Sequence, residues 1–296
     1  LWPVHVPLTS SGINYNIWAD VGEVQKIVAL FGDAATASLP AAMHNAAFPA
    51  TGLPWSYIPF RADETTLPGL FARLKGDGLA GADFAYPCEE AAAGLCDELS
   101  EEAELLAAVN TARVGADGVR GYNVDAYAFA RSLGELGLEV ARKAALVLGT
   151  GAAARACGLA LEQAGAAVTY AAPDLTRPRP GVSTRATVIT WRDAERFLTE
   201  RKPAALVDAT PPASPADGPA PFDYDVIPPG CFVYDLNCGP PTSLLKAAEE
   251  RGLRAADGLS MFTYKAARAF ELWTGVEAPL DVMRRAAALE LEKRDA

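Results

Sequence analysis

Leu146-Val147-Leu148-Gly149-Thr150-Gly151-Ala152-Ala153-Ala154-Arg155 is an apolar strand that enters a tight glycine turn and reopens at once as a helix. The first glycine permits the sharp turn, the second lets the backbone come close to a pyrophosphate, and the small residue after them allows tight helix–strand packing. The first N–H groups of the helix then face an anion. A strand–turn–helix of this kind belongs to a parallel sheet covered by helices, the Rossmann arrangement. Gly149, Gly151, Ala152 and Ala153 are therefore candidate cofactor-binding positions. The bare alternative is a glycine turn without a ligand.

The surrounding pattern agrees with an α/β chain. Short β-branched runs ending in Gly, Asp or Pro alternate with Ala/Leu/Glu stretches of helical period. The first series places strands at 27–31, 55–59, 82–86 and 111–114, with helices at 40–48, 67–74 and 101–107. The second places strands at 144–148, 167–170, 187–190, 204–208 and 232–235, with helices at 152–164 and 244–251. A linker helix over 124–136 follows an expected turn at Gly121-Tyr122-Asn123. The helices predicted at 260–273 and 279–291 have no strand of their own to cover, so they are expected to pack back on the first unit. The Pro-rich segment 211–229 reads as a surface loop.

A net charge of −11 over 296 residues, with no basic run or stripe to offset it, disfavours nucleic acid and anionic membranes and favours a small-molecule substrate. The five cysteines are odd in number and contain no C-x-x-C, and the two histidines, His5 and His44, are far apart. Neither a disulfide framework nor a metal site is expected, and reduced thiols point to the cytoplasm. No basic segment followed by an apolar core opens the chain, and no apolar run approaches the roughly 20 residues of a membrane helix.

The group that reads the adenosine ribose should lie about 20 residues beyond the glycine turn. That region reads Tyr170-Ala171-Ala172-Pro173-Asp174-Leu175-Thr176-Arg177-Pro178-Arg179-Pro180. Its prolines suppress the usual following helix. Asp174 would accept from a ribose diol and favour NAD, Arg177 or Arg179 would hold the 2′-phosphate of NADP, and a solvated loop would touch neither. Thr210, at the end of an apolar strand, is a candidate for the nicotinamide side of the crevice.

From Lys26 onward the chain resembles the shikimate/quinate dehydrogenase family. The motifs that carry the resemblance are Phe31-Gly32 with Ala42-Met43-His44-Asn45, Val109-Asn110-Thr111, Gly121-Tyr122-Asn123-Val124-Asp125, the glycine turn, Asp208-Ala209-Thr210-Pro211, Tyr234-Asp235 and Ala256-Asp257-Gly258-Leu259-Ser260-Met261. The resemblance implies a substrate domain over 24–123 completed by 260–296, a Rossmann cofactor domain over 124–259, and a cleft between them. Residues 1–23 form an N-terminal extension. It also implies NAD or NADP; this chain's own loop slightly favours NAD, unless the cofactor is absent, and a monomer or homodimer is expected.

In that family a Lys and an Asp flank the hydroxyl that is oxidised. Asp125 matches the Asp and Asn110 the Asn that binds substrate hydroxyls, but Glu89 stands where the Lys belongs. The two serines that hold a substrate carboxylate fall on Ser38 and Pro40. Asp83 and Ala85 replace the Asn and Thr of the family's N-x-T-x-P loop, Cys238 replaces a pocket Tyr, and the N-R-T phosphate motif falls on Ala172-Pro173-Asp174. Lys265, conversely, stands where the family has a Gln.

These departures lead to a relocated site in which Lys265 approaches Asp125 and Glu89, as acid/base if burial lowers its pKa or as an electrostatic clamp otherwise. Ser38, Asp83, Asn110 and Cys238 would line the substrate pocket. The extra carboxylates favour an amino or polyol substrate other than shikimate. Two other readings stay open: a non-catalytic protein that binds a small ligand or nucleotide, in which Lys265 only neutralises buried acids, and a non-redox enzyme on the same scaffold.

Overall fold

The computed structural model describes residues 26–32, 38–176, 180–210 and 222–294, with side chains as far as residue 293. Residues 1–23, Arg177 and Arg179 lie outside them. Two six-stranded sheets organise the chain. The first is built from β1 (Lys26–Gly32), β2 (Trp55–Arg61), β3 (Leu79–Phe84), β4 (Glu98–Leu99), β5 (Thr111–Gly115) and β6 (Gly118–Tyr122), in the order β2-β1-β3-β5-β6-β4. Helices α1 (Ser38–Ala50), α2 (Leu67–Gly76), α3 (Glu89–Ala92) and α4 (Glu101–Leu106) connect these strands. Helix α5 (Asp125–Glu135) then crosses to the second sheet.

That second sheet is entirely parallel: β7 (Ala144–Leu148), β8 (Ala167–Ala172), β9 (Thr187–Thr190), β10 (Ala205–Asp208), β11 (Phe232–Asp235) and β12 (Ala255–Ala256), ordered β12-β11-β10-β7-β8-β9. Helices α6 (Ala152–Gln163), α7 (Trp191–Arg201) and α8 (Ser243–Glu250) accompany it. The central strands β7 and β10 are buried on both faces, which is why they read as unbroken apolar runs rather than alternating ones. Strand order reverses between β7 and β10, so the glycine turn after β7 opens into the crevice where open α/β sheets hold ligands.

The last helices, α9 (Leu259–Thr274) and α10 (Leu280–Arg294), return to the first sheet as expected from their lack of a strand. Phe270 and Trp273 join a core made with Val28, Leu30, Met43, Phe48 and Tyr57. Trp273 lies flat on Gly81, where any Cβ would collide with the indole, and its Nε1 donates to the Ala112 carbonyl at 3.1 Å. One glycine in β3 thus gives α9 its seat.

Several expectations need correction. Strand β3 covers Leu79–Phe84 rather than 82–86, because its pairing with β1 begins at Leu79 and Tyr86 is already exposed. Gly121 and Tyr122 do not form a turn but end strand β6, antiparallel to β5. Helix α7 was not anticipated; it buries Ala194 and Leu198, packs Trp191 and Phe197 against the same core and turns its charged residues outward. Part of the expected surface loop 211–229 is core: Phe222 and Ile227 are buried. No helix follows β8 among the described residues before β9, in line with its prolines.

Candidate active site

Asp125 occupies the first turn of α5, where the helix dipole favours its charge, and its backbone N–H is held by Asn123 Oδ1. Lys265, on α9, reaches across so that its Nζ lies 2.9 Å from Asp125 Oδ1. The carboxylate is 4% exposed and the lysine side chain 22%. Among the described residues the ammonium is the one polar partner of that oxygen and approaches off the ideal hydrogen-bond direction, so the contact is a close ion pair.

Burial works against the charge on Lys265, yet Asp125, then Glu89 and Asp83, outweigh it and raise its pKa. Lys265 is therefore a permanent cation at neutral pH, not a neutral base. Glu89 begins α3, and its carbonyl accepts from Val109 N at 2.8 Å. Burial pushes its carboxyl up to about 7, Asp125 adding to the rise and Lys265 opposing it. No ion pair closes between Lys265 and Glu89, so the ammonium acts on it through space.

Asp83, at the end of β3, takes the Thr111 hydroxyl on Oδ1 at 2.7 Å and the Tyr57 hydroxyl on Oδ2 at 2.8 Å. Burial raises it to about 6 despite those donors. His44 Nε2 stands 3.9 Å from Oδ2, but burial lowers the imidazole to about 3, so it is neutral and gives Asp83 no countercharge. The ring is packed against Tyr57 at 4.6 Å and Trp273 at 4.9 Å, fully buried as a core histidine.

Asn110 is 1% exposed, and its amide is committed to the turn into α5: Nδ2 donates to Asn123 Oδ1 and Oδ1 accepts from Val124 N. Ser38 is exposed at the start of α1, and the residues just before it are outside those described. Cys238 is partly buried after β11 and packs against the core shared by α1 and α9.

On the other side of the cleft, Gly149 adopts φ +96°, open to glycine alone at little cost, and the Ala209 carbonyl lies 3.2 Å from where its Cβ would be. Gly151 caps α6 without a side-chain bond and faces open space, and Ala152 and Ala153 are the first two residues of the helix. Bare amides at a helix start beside room for a ligand fit a pyrophosphate. Thr210 follows β10, its N–H and hydroxyl both given to Asp208 Oδ1. Asp174 turns the chain after β8 by accepting from Thr176 N and Oγ1. Sequence reasoning gave no role to Tyr57, to Thr111, quoted only within its motif, or to Arg155, whose guanidinium meets carbonyls from separate turns.

Residues 30–112 match the family model described as the shikimate dehydrogenase substrate binding domain, and residues 258–288 that of the shikimate 5′-dehydrogenase C-terminal domain. The chain is 36% identical over 274 residues to the shikimate dehydrogenase (NADP(+)) of Methanopyrus kandleri, covering 88% of this chain and 94% of the relative. The shikimate 5-dehydrogenase of Thermus thermophilus, solved with NADP(H) and shikimate, is similar with a TM-score of 0.78 at 31% identity, covering 90% of this chain and 99% of that one. Quinate dehydrogenase from Corynebacterium glutamicum, solved with NAD, gives 0.79 at 27% identity, covering 89% and 98%. With two family models matched in order and such identity along nearly the whole fold, the chain belongs to the shikimate dehydrogenase family.

Proposed function

We propose that the protein is a cytoplasmic NAD(P)-dependent oxidoreductase that exchanges a hydride with a CH–OH carbon of a substrate other than shikimate. The observation that carries this reading is the 2.9 Å pair of Lys265 and Asp125 in the cleft with Glu89. In the first-half unit, 24–123 with 260–296, the substrate would sit against Glu89, Asp83 and Lys265. The dinucleotide would lie on the unit 124–259, along Gly149, Gly151, Ala152, Ala153 and Thr210, with Asp174 toward the ribose.

When bound, the dinucleotide supplies the hydride acceptor. As the C–H bond gives up its electron pair, the hydroxyl proton passes to the Glu89 carboxylate, whose pKa of about 7 suits a base working near neutrality. The Lys265 ammonium stabilises the negative charge growing on oxygen, and Asp125 holds that ammonium in place. The lysine thus serves as the clamp, and the glutamate takes over proton transfer. NAD is favoured over NADP because Ala172-Pro173-Asp174 stand where the family's phosphate motif belongs.

Charge narrows the substrate further. Lys265 is matched by Asp125, which leaves Glu89 and Asp83 with no cation within ion-pair distance among the described residues. A substrate ammonium would supply one, whereas a carboxylate such as shikimate's loses a donor at its own end, where Pro40 stands in place of a serine. Cyclic polyols with and without an amino group, and shikimate, should be assayed with NAD⁺ and NADP⁺. The amine is expected to show the highest kcat/KM, and Lys265→Gln to lose about 10²–10³-fold in kcat. Efficient shikimate oxidation would remove the substrate assignment, and unchanged kcat in the variant would leave Lys265 a structural counterion.

A further inference from the structure

Arg155 is the most thoroughly enclosed cation described in the chain, its side chain 3% exposed, and it does not belong to the proton-transfer group. It sits in the first turns of α6, yet its guanidinium reaches three separate segments. Nη1 donates at 3.2 Å to the carbonyl of Thr150, the residue between the two turn glycines. Nε donates at 3.1 Å to the carbonyl of Leu106, the last residue of α4. Nη2 donates at 3.0 Å to Glu90 Oε1, adjacent to Glu89 on α3. Gly181, at φ +77°, lies against the same Leu106 carbonyl and stands 3.0 Å from Arg155 Nε where its Cβ would be, so the loop leading to β9 closes over the contact.

A planar guanidinium fixes its partners in one plane and at set angles, and once buried it keeps its donors satisfied because an unpaired one is costly. The three acceptors therefore move together. Two belong to the first-sheet unit and one to the glycine turn of the second. The geometry points to Arg155 as a positioning residue: seating a dinucleotide pyrophosphate on the glycine turn fixes the Thr150 carbonyl, and Arg155 relays that placement through Glu90 to the short helix that begins at Glu89. This rests on the oxidoreductase reading. Cys88 and Ala92, on either side of Glu89, are buried in the core, and the Glu89 carbonyl accepts from Val109 N; the ion pair at Glu90 is the side-chain link that ties this short helix to the glycine turn.

The inference is tested by hydrogen exchange on the full chain with NAD⁺ and NADP⁺ as probes, comparing the wild type with Glu90→Ala and Arg155→Lys. Glu90→Ala removes the acceptor of Nη2 and keeps Arg155 and its two carbonyl acceptors, so it reports on the relay even where Arg155→Lys folds poorly. In the wild type the dinucleotide should slow exchange both in the peptide spanning 148–156 and in that spanning 85–95. In Glu90→Ala the first protection should persist and the second be lost, and in any folded Arg155→Lys protein likewise. Protection of 85–95 that survives in Glu90→Ala overturns the relay while leaving the cofactor reading intact. A wild type with no protection of 148–156 by either dinucleotide overturns both.

Discussion

Lys265 and Asp125 meet at 2.9 Å although one is carried by a late helix and the other by the helix that joins the two sheets. Their contact fixes the local charge, since helices α5 and α9 pack side by side and bring both groups near Glu89 and Asp83.

Lys265→Met should leave the Asp125 carboxylate buried without its cation. Removing one member of a buried pair costs about 3–5 kcal/mol, and the partial exposure of the lysine places this case near about 3 kcal/mol. Adding Asp125→Asn should return most of that stability in urea unfolding but none of the turnover. A double variant as unstable as Lys265→Met would show that the pair does not set the cost.

The pH dependence has two opposed parts. Glu89 moves from an ordinary 4.5 to about 7 and Asp83 from 3.8 to about 6, so the folded state holds their protons more tightly than the unfolded one. Their contribution is complete below the unfolded values and is lost as pH rises through the folded ones. His44, lowered from 6.5 to about 3, contributes above 6.5 and is lost as pH falls toward 3. Thermal melts should therefore fall from about pH 6 to about pH 8, and less so in Glu89→Gln. The oxidation rate should climb with pH to a plateau above about 7, and that limb should vanish in the same variant. An identical melt profile in both proteins would remove Glu89 as its source.

NAD⁺ should raise the melting temperature more than NADP⁺ at equal concentration, since a ligand at about 100 times its Kd adds about 2.7 kcal/mol. Asp174→Ala should weaken NAD⁺ more than NADP⁺. Equal shifts with both would reverse the preference.

Gly81→Ala places a methyl group into the Trp273 indole. Overpacking of this kind costs about 1–3 kcal/mol. Because Trp273 seats α9, turnover should fall along with stability, and tryptophan emission should shift. Stability lost with kcat unchanged would show that Lys265 is placed independently of that seat.

What the sequence disclosed and what it concealed divide along physical lines. Strands β7, β10 and β11 are apolar on both faces, so their runs stood out, and the glycine turn was marked by residues with no other use. Helix α7 was overlooked although Trp191, Ala194, Phe197 and Leu198 recur at helical spacing on its inner face. Lys265 and Asp125 were found through motif order, because their convergence depends on α9 crossing to α5. The roles of Tyr57 and Thr111 escaped notice, because strand register delivers their hydroxyls to Asp83. Arg155 was quoted only as the end of the turn, since a bond to a main-chain carbonyl leaves no mark on the partner's identity.

The indole of Trp273, bonded to Ala112, also dictates when the protein becomes competent. A nascent polypeptide emerging from the ribosome can complete the second sheet while its first sheet, packed by α1 and α2, still lacks α9, because α9 follows the second sheet in the chain. Contacts so distant along the chain form slowly and late. The ion pair of Lys265 with Asp125 accordingly closes only after both sheets exist, and a chain clipped ahead of α9 would keep the second sheet while losing that ammonium.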